Sequence, residues 1–275
     1  MGLKKFLSNR RAKKFRAKHK IGLCLSGGGT RGFAYIGVFK ALIENGIEFD
    51  MISGCSAGSL FGALYASGAS YEEMYKCTTE IKSTDFRNAK FGVLPSSMDS
   101  LKQAVKKYIK VKRIEELKTP FYCNAVNLKT GSEIIFDSGD ISSAVTASSA
   151  MPLAYLPVTY KNMTLIDGGV KNNIPADILR DHGCDYIVTV DCNANRGQGT
   201  NSEKFMSQLL ASVDIMMVNN SSLGLSLSDI IISPDLARFS PAKIDGKEEM
   251  ILEGYRATMK AMPKIKKLFS GEFKK

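Results

Sequence analysis

The sequence predicts a three-layer α/β domain with a central, mostly parallel sheet flanked by helices. Two kinds of observation carry this. Short apolar runs such as IGLCL (21–25), DMISG (50–54) and YIVTV (186–190) read as strands buried on both faces. The first two are each followed at once by a glycine-containing turn and a helical segment, the repeating unit of such sheets. At 275 residues and 44% hydrophobic composition, the chain can bury one large core without dividing. Residues 21–275 are therefore assigned to one domain, and residues 1–20 to a basic, flexible tail.

Taken in order, residues 31–44 keep apolar positions at Phe33, Ile36, Phe39, Ala41, Leu42 and Ile43, and Asn45-Gly46 supplies a C-terminal stop. After the second strand, SAGSLFGALYASG is a helix whose small residues permit close approach to the sheet. SLKQAVKKYIKVKRIEELK (100–118) reads as helical with one basic face, and FYCNAVNLKTGSEIIFD (121–137) as two strands joined at LKTG. DYIVTVD and DIIISPD are further strands, separated by a polar stretch at 193–203 and a helix over 204–218. A basic helical stretch at 247–269, interrupted at Pro263, closes the chain.

The net charge of +11 is uneven, because residues 1–20 hold nine Lys or Arg and no carboxylate. Such a tail suits an anionic lipid surface or, without sequence preference, nucleic acid, and Leu3, Phe6, Leu7 and Phe15 form a narrow stripe on a nascent helix. Phe6 stands where a myristoylation signal needs Ser or Thr. With no membrane-spanning run and no signal peptide, the expected location is the cytoplasm, with peripheral membrane contact through the tail. Six scattered cysteines without C-x-x-C spacing read as reduced core thiols, and no metal or organic cofactor is expected. No nucleic-acid recognition module is evident, so no specific nucleic-acid partner is expected.

Gly54-Cys55-Ser56-Ala57-Gly58 matches G-x-S-x-G, the nucleophile elbow in which a strand turns sharply into a helix and exposes the serine hydroxyl. That hydroxyl needs a base. The chain has two histidines, His19 in the basic tail and His182 beside a helix C-terminus, and neither stands in a loop at a strand end. The remaining candidate is Asp167, which follows the apolar run MTLI and precedes Gly168 and Gly169. A third piece, Gly27-Gly28-Gly29-Thr30-Arg31-Gly32, joins the first strand to the first helix, where backbone N–H groups can converge on an oxyanion. Gly27-x-Gly29-x-x-Gly32 also fits a dinucleotide fingerprint. Against this, Asp50 precedes the second strand, whereas that fingerprint needs an acid at the strand's carboxyl end.

GGGTRG, GCSAG and DGG, in this order, resemble the patatin-like phospholipase family, acyl hydrolases with a Ser-Asp dyad. The resemblance extends through SSAVTASSAMPLAYLPV and LIDGGVKNNIPAD, covering about residues 20–192, and implies a patatin-like fold. It implies Ser56 as nucleophile, Asp167 as base, the amides around Gly28 and Gly29 as oxyanion hole, and Arg31 in support. The substrate implied is a lipid ester. The residue before the glycines is often Asp in that family; here it is Ser26, which changes the loop's hydrogen bonding. Residues 193–275 match no motif. The alternative expectation is a non-catalytic lipid-binding or regulatory protein on the same scaffold.

Overall fold

The computed structural model describes residues 10–80, 95–194, 203–240 and 245–274. Helix α1 (Arg10–Arg16) leads into β1 (Ile21–Leu25), a 3-10 turn (Gly29–Phe33) and α2 (Ala34–Glu44). β2 (Met51–Gly54) and α3 (Ala57–Ala66) complete the first repeat, followed by α4 (Tyr71–Glu80) and α5 (Asp99–Tyr108). Then come β3 (Phe121–Asn127), β4 (Glu133–Phe136), α6 (Ile141–Ser148), β5 (Val158–Tyr160) and β6 (Met163–Asp167). The chain closes with α7 (Ala176–Asp181), β7 (Tyr186–Val190), α8 (Phe205–Asn219), α9 (Ser222–Ser226), β8 (Ile230–Ile232) and α10 (Lys247–Ser270).

The eight strands among the described residues form one sheet, hydrogen-bonded along the path β5-β6-β3-β2-β1-β7-β8, with β4 also on β3. β8, β7, β1, β2 and β3 are parallel, whereas β6, β5 and β4 are added antiparallel. The three layers follow from the alternation along β1. Ile21, Leu23 and Leu25 enter the large core with α2, α3 and α10, while Cys24 enters a smaller cluster with Ile174 and Leu179 of the α7 region on the opposite face. A strand buried on both faces has no polar side to show, hence the unbroken apolar runs. α10 crosses α2 through glycines: a Cβ on Gly37 would lie 1.8 Å from Ile251 O, and one on Gly254 2.0 Å from Ala34 O.

Three elements differ from the sequence expectation. α10 runs unbroken through Pro263, which lies on the exposed side with Met259, the residue whose carbonyl loses its donor, so water can serve that carbonyl. Of the basic stretch 100–118, only the part to Tyr108 is α-helical, with a short 3-10 turn at Ile114–Glu116. Residues 10–20 of the basic segment, expected as part of a flexible tail, lie on the domain. Phe15 packs near Tyr186 and beneath Gly271, and Arg16 Nη2 bonds Asp50 Oδ1 at 2.9 Å. The buried Ala12 and the ring of Phe15 supply the apolar contact that the high charge obscures. Residues 1–9 lie outside the described residues. No helix among the described residues is long and apolar enough to cross a membrane.

Candidate active site

The pairing of β3 explains why two sequence-distant residues meet. Ile52 N donates to Pro120 O and Leu128 N to Thr164 O, so the even-numbered residues of β3 bond both β2 and β6. Asn127 N donates to Ser132 O, so the odd-numbered ones face β4. β2 and β6 therefore share one edge of β3 and approach each other end to end. Gly54 pairs with Cys123 and Asp167 with Ala125, only two positions on, about 7 Å along the strand. Ser56 begins where β2 stops, and Asp167 stands where β6 stops. β6 brings Asp167 in from beyond the carboxyl edge of its neighbours.

The elbow is built by steric demand. Ser56 has φ 51° and ψ −120°, a strained conformation that a tight strand-to-helix turn imposes. A Cβ on Gly54 would lie 2.3 Å from Gly58 O, and one on Gly58 2.3 Å from Leu25 O, so both flanking glycines are sterically required. Between them, Cys55 N donates to Leu25 O and Ser56 N to Ser148 Oγ at 3.0 Å. Ala57 opens α3 and packs against Gly32, where a Cβ would come within 2.7 Å of the Ala57 Cβ.

Asp167 is completely buried, and its Oδ1 accepts the Gly169 amide at 2.8 Å and the Cys55 thiol at 3.7 Å. Burial pushes its pKa up to about 6, although the Ser56 hydroxyl, the Gly169 amide and the Cys55 thiol all favour the ionised form. The Ser56 hydroxyl is thus close enough to act on the carboxylate, yet Oδ2 has no hydrogen-bond partner among the described residues. The pair is adjacent but open, as catalytic hydrogen bonds often are before substrate tightens them. Gly168 leaves room for Asn124, whose carbonyl would be 2.5 Å from an added Cβ.

The glycine loop lies against the serine, since a Cβ on Gly27 would be 3.3 Å from Ser56 Cβ. Its members have separate tasks. Gly27 N donates to Asn173 O at 3.0 Å, whereas the amides of Gly28 and Gly29 have no acceptor among the described residues. Gly29 has φ 56°, which suits glycine. Thr30 Oγ1 donates to Ser240 O at 2.9 Å. Arg31, implied above as a support of the oxyanion hole, is buried with Nε donating to Phe239 O at 2.9 Å, so it ties the loop down. Ser26 Oγ accepts the Cys192 amide at 3.0 Å, and its carbonyl accepts from the Tyr35 hydroxyl.

The histidines are elsewhere: His182 Nδ1 bonds Ile178 O at the end of α7, and His19 sits beside Asp185. Asp50, the acid of the nucleotide alternative, accepts from Ile21 N and Arg16 at the opposite edge of the sheet. KFGVLP, suggested by its apolar residues as part of a pocket mouth, lies outside the described residues except for Pro95. Ser148, Asn173 and Asn193 complete the site; Ser148 and Asn173 lie in the two segments that extend the family resemblance but were not singled out there, and Asn193 belongs to no motif.

With this geometry in view, the profile of the patatin-like phospholipase family matches residues 23–180, more than half of the chain. The chain belongs to that family. Among its relatives, lysophospholipase nte1 of Aspergillus fumigatus is 33% identical over 178 residues, covering 62% of this chain and 12% of the relative. Human patatin-like phospholipase domain-containing protein 6 is 31% identical over 186 residues, 62% of this chain and 13% of the relative. The match thus spans about an eighth of the length of these relatives. VipD from Legionella pneumophila shares the fold, with a TM-score of 0.51 at 15% identity over 90% of this chain and 67% of VipD.

Proposed function

We propose that this family member is a serine acyl hydrolase that cleaves lipid ester bonds, with a phospholipid or lysophospholipid as substrate. The observation that carries the reading is the meeting of Ser56 with a buried Asp167 that has no cationic partner among the described residues, beside the Gly28 and Gly29 amides, which have no acceptor among them. Asp167 accepts the Ser56 proton as Oγ attacks the ester carbonyl. The N–H groups of Gly28 and Gly29 receive the oxyanion, at the N-terminal end of the helical segment that continues into α2. Collapse expels the alcohol, which takes the proton from Asp167. Water, deprotonated by Asp167, then attacks the acyl-serine; collapse releases the fatty acid as Asp167 returns the proton to Ser56 Oγ. A pKa near 6 makes Asp167 a better base than an ordinary carboxylate while leaving it ionised at neutral pH.

A lipid fits the surface around this centre. α8 packs on the turn after Asp167, with Met217 against Gly169, yet Met217 is its only buried residue. Ile215 and Met216, next to it in sequence, are 39% and 58% exposed, giving hydrocarbon a surface at that end of the helix. The names of the lysophospholipase relatives point the same way. The test is fatty-acid release from lysophospholipid and from diacyl-phospholipid vesicles, with Ser56→Ala beside the wild type. Release should fall by about a thousandfold or more in the variant. Equal release from both proteins would refute the reading.

A further inference from the structure

Asn193 lies just beyond β7, is 4% exposed, and belongs to no motif. Its Nδ2 donates to Gly27 O at 2.6 Å, and its Oδ1 accepts from Arg31 Nη1 at 3.3 Å. One contact needs a donor and the other an acceptor, so chemistry fixes which end of the amide points where. The Asn193 N–H donates to Asp191 Oδ1 at 2.9 Å and holds the residue at the strand end.

A carbonyl and the N–H that follows it belong to one planar unit and point in opposite directions across a trans bond; no peptide among the described residues is cis. Holding Gly27 O toward Asn193 therefore turns the Gly28 N–H away from Asn193. A Cβ on Gly27 would crowd Asn173 Oδ1 at 2.3 Å and Ser56 Cβ at 3.3 Å, so the tight site favours glycine, whose freedom makes the loop intrinsically soft. A flip of that peptide would replace the N–H with a carbonyl lone pair in the place where the oxyanion forms. Something outside the loop has to prevent it.

We infer that Asn193 is a positioning residue that locks the Gly27–Gly28 peptide with its N–H toward the reacting carbonyl, braced from behind by Arg31. This rests on the acyl-hydrolase reading and extends it to a residue that touches no substrate. The test is Asn193→Asp, which keeps the volume and the Arg31 contact but sets an acceptor against Gly27 O. Asn193→Ser, whose shorter side chain loses both the Gly27 and the Arg31 contacts, serves if the first variant does not fold. Both are assayed on a soluble medium-chain ester, with thermal melting to fix the folded fraction and Ser56→Ala as control. The oxyanion exists only past the ground state, so kcat should fall about ten- to a hundredfold while KM stays within about threefold. A purely structural residue would lower the folded fraction and leave kcat per folded molecule intact. A kcat within about twofold of wild type in a folded Asn193→Asp or Asn193→Ser protein overturns the inference and leaves the hydrolase reading standing. Turnover equal in wild type and Ser56→Ala overturns both.

Discussion

At the amino edge of the sheet, Asp50, Asp185 and Asp229 each stand immediately before a parallel strand, and each accepts the backbone N–H of a neighbouring segment: Ile21, Lys20 and Ile187. Each also has a basic partner, Arg16 at 2.9 Å, His19 at 3.6 Å and Arg180 at 2.8 Å respectively. At the carboxyl edge, Asp167 and Asp191 are almost wholly buried, are held by amides and, for Asp167, a thiol, and have raised pKa values because burial dominates. One set of carboxylates staples strand ends; in the other, burial holds the proton more tightly, and the proposed mechanism uses Asp167 of that set as a base. On that reading the same residue type contributes stability at one edge and reactivity at the other.

The largest effect that separates the edges is expected in Asp167→Asn. Its turnover should fall by about a thousandfold or more, yet the protein should become more stable at pH 8. The folded protein binds the Asp167 proton more tightly than the unfolded chain, whose carboxyl titrates near 3.8. Ionisation therefore costs stability progressively as pH rises from about 4 to about 6, and the full cost persists above that window. Asparagine removes it, for a gain of about 2–3 kcal/mol at pH 8 that vanishes near pH 3. Thermal melts at the two pH values check this; an equal shift at both would show that the gain is not electrostatic.

At the amino edge the signs reverse. Asp229→Asn should cost about 1–2 kcal/mol in denaturant unfolding, because the partly exposed Arg180 loses its partner, while kcat per folded molecule stays unchanged. A loss of kcat would mean that the two edges are coupled. The smallest effect belongs to α1, which sits at the amino edge, on the far side from Ser56. Reversing Lys14 and Lys18 to Glu should weaken attachment to anionic vesicles at low salt and leave turnover of a soluble ester within about twofold. Vesicle binding that ignores these charges would remove the basic segment from any membrane role.

The elbow was legible in the sequence because its constraints are local. Gly54 and Gly58 are fixed by backbone atoms only a few residues away or on the adjoining strand, so the pattern survives as letters. Asp167 was legible from its place between an apolar strand and two glycines, but its route was not. Whether MTLID runs parallel or antiparallel depends on β3, far off in the chain, and the apolar alternation is the same either way. Asn193 and Ser148 act on backbone groups, a role that leaves no periodic signature. The basic segment 1–20 reads as a tail by charge, whereas Phe15 and Ala12 secure its described half.

The central claim is that Asp167 activates Ser56, and the pH dependence of kcat/KM for a soluble medium-chain ester tests it most directly. The proton acceptor must be ionised, so activity should rise with pH through about 6, level off above it, and disappear in Ser56→Ala. A limb near the ordinary carboxylate value, or turnover that survives the loss of Ser56, would contradict it.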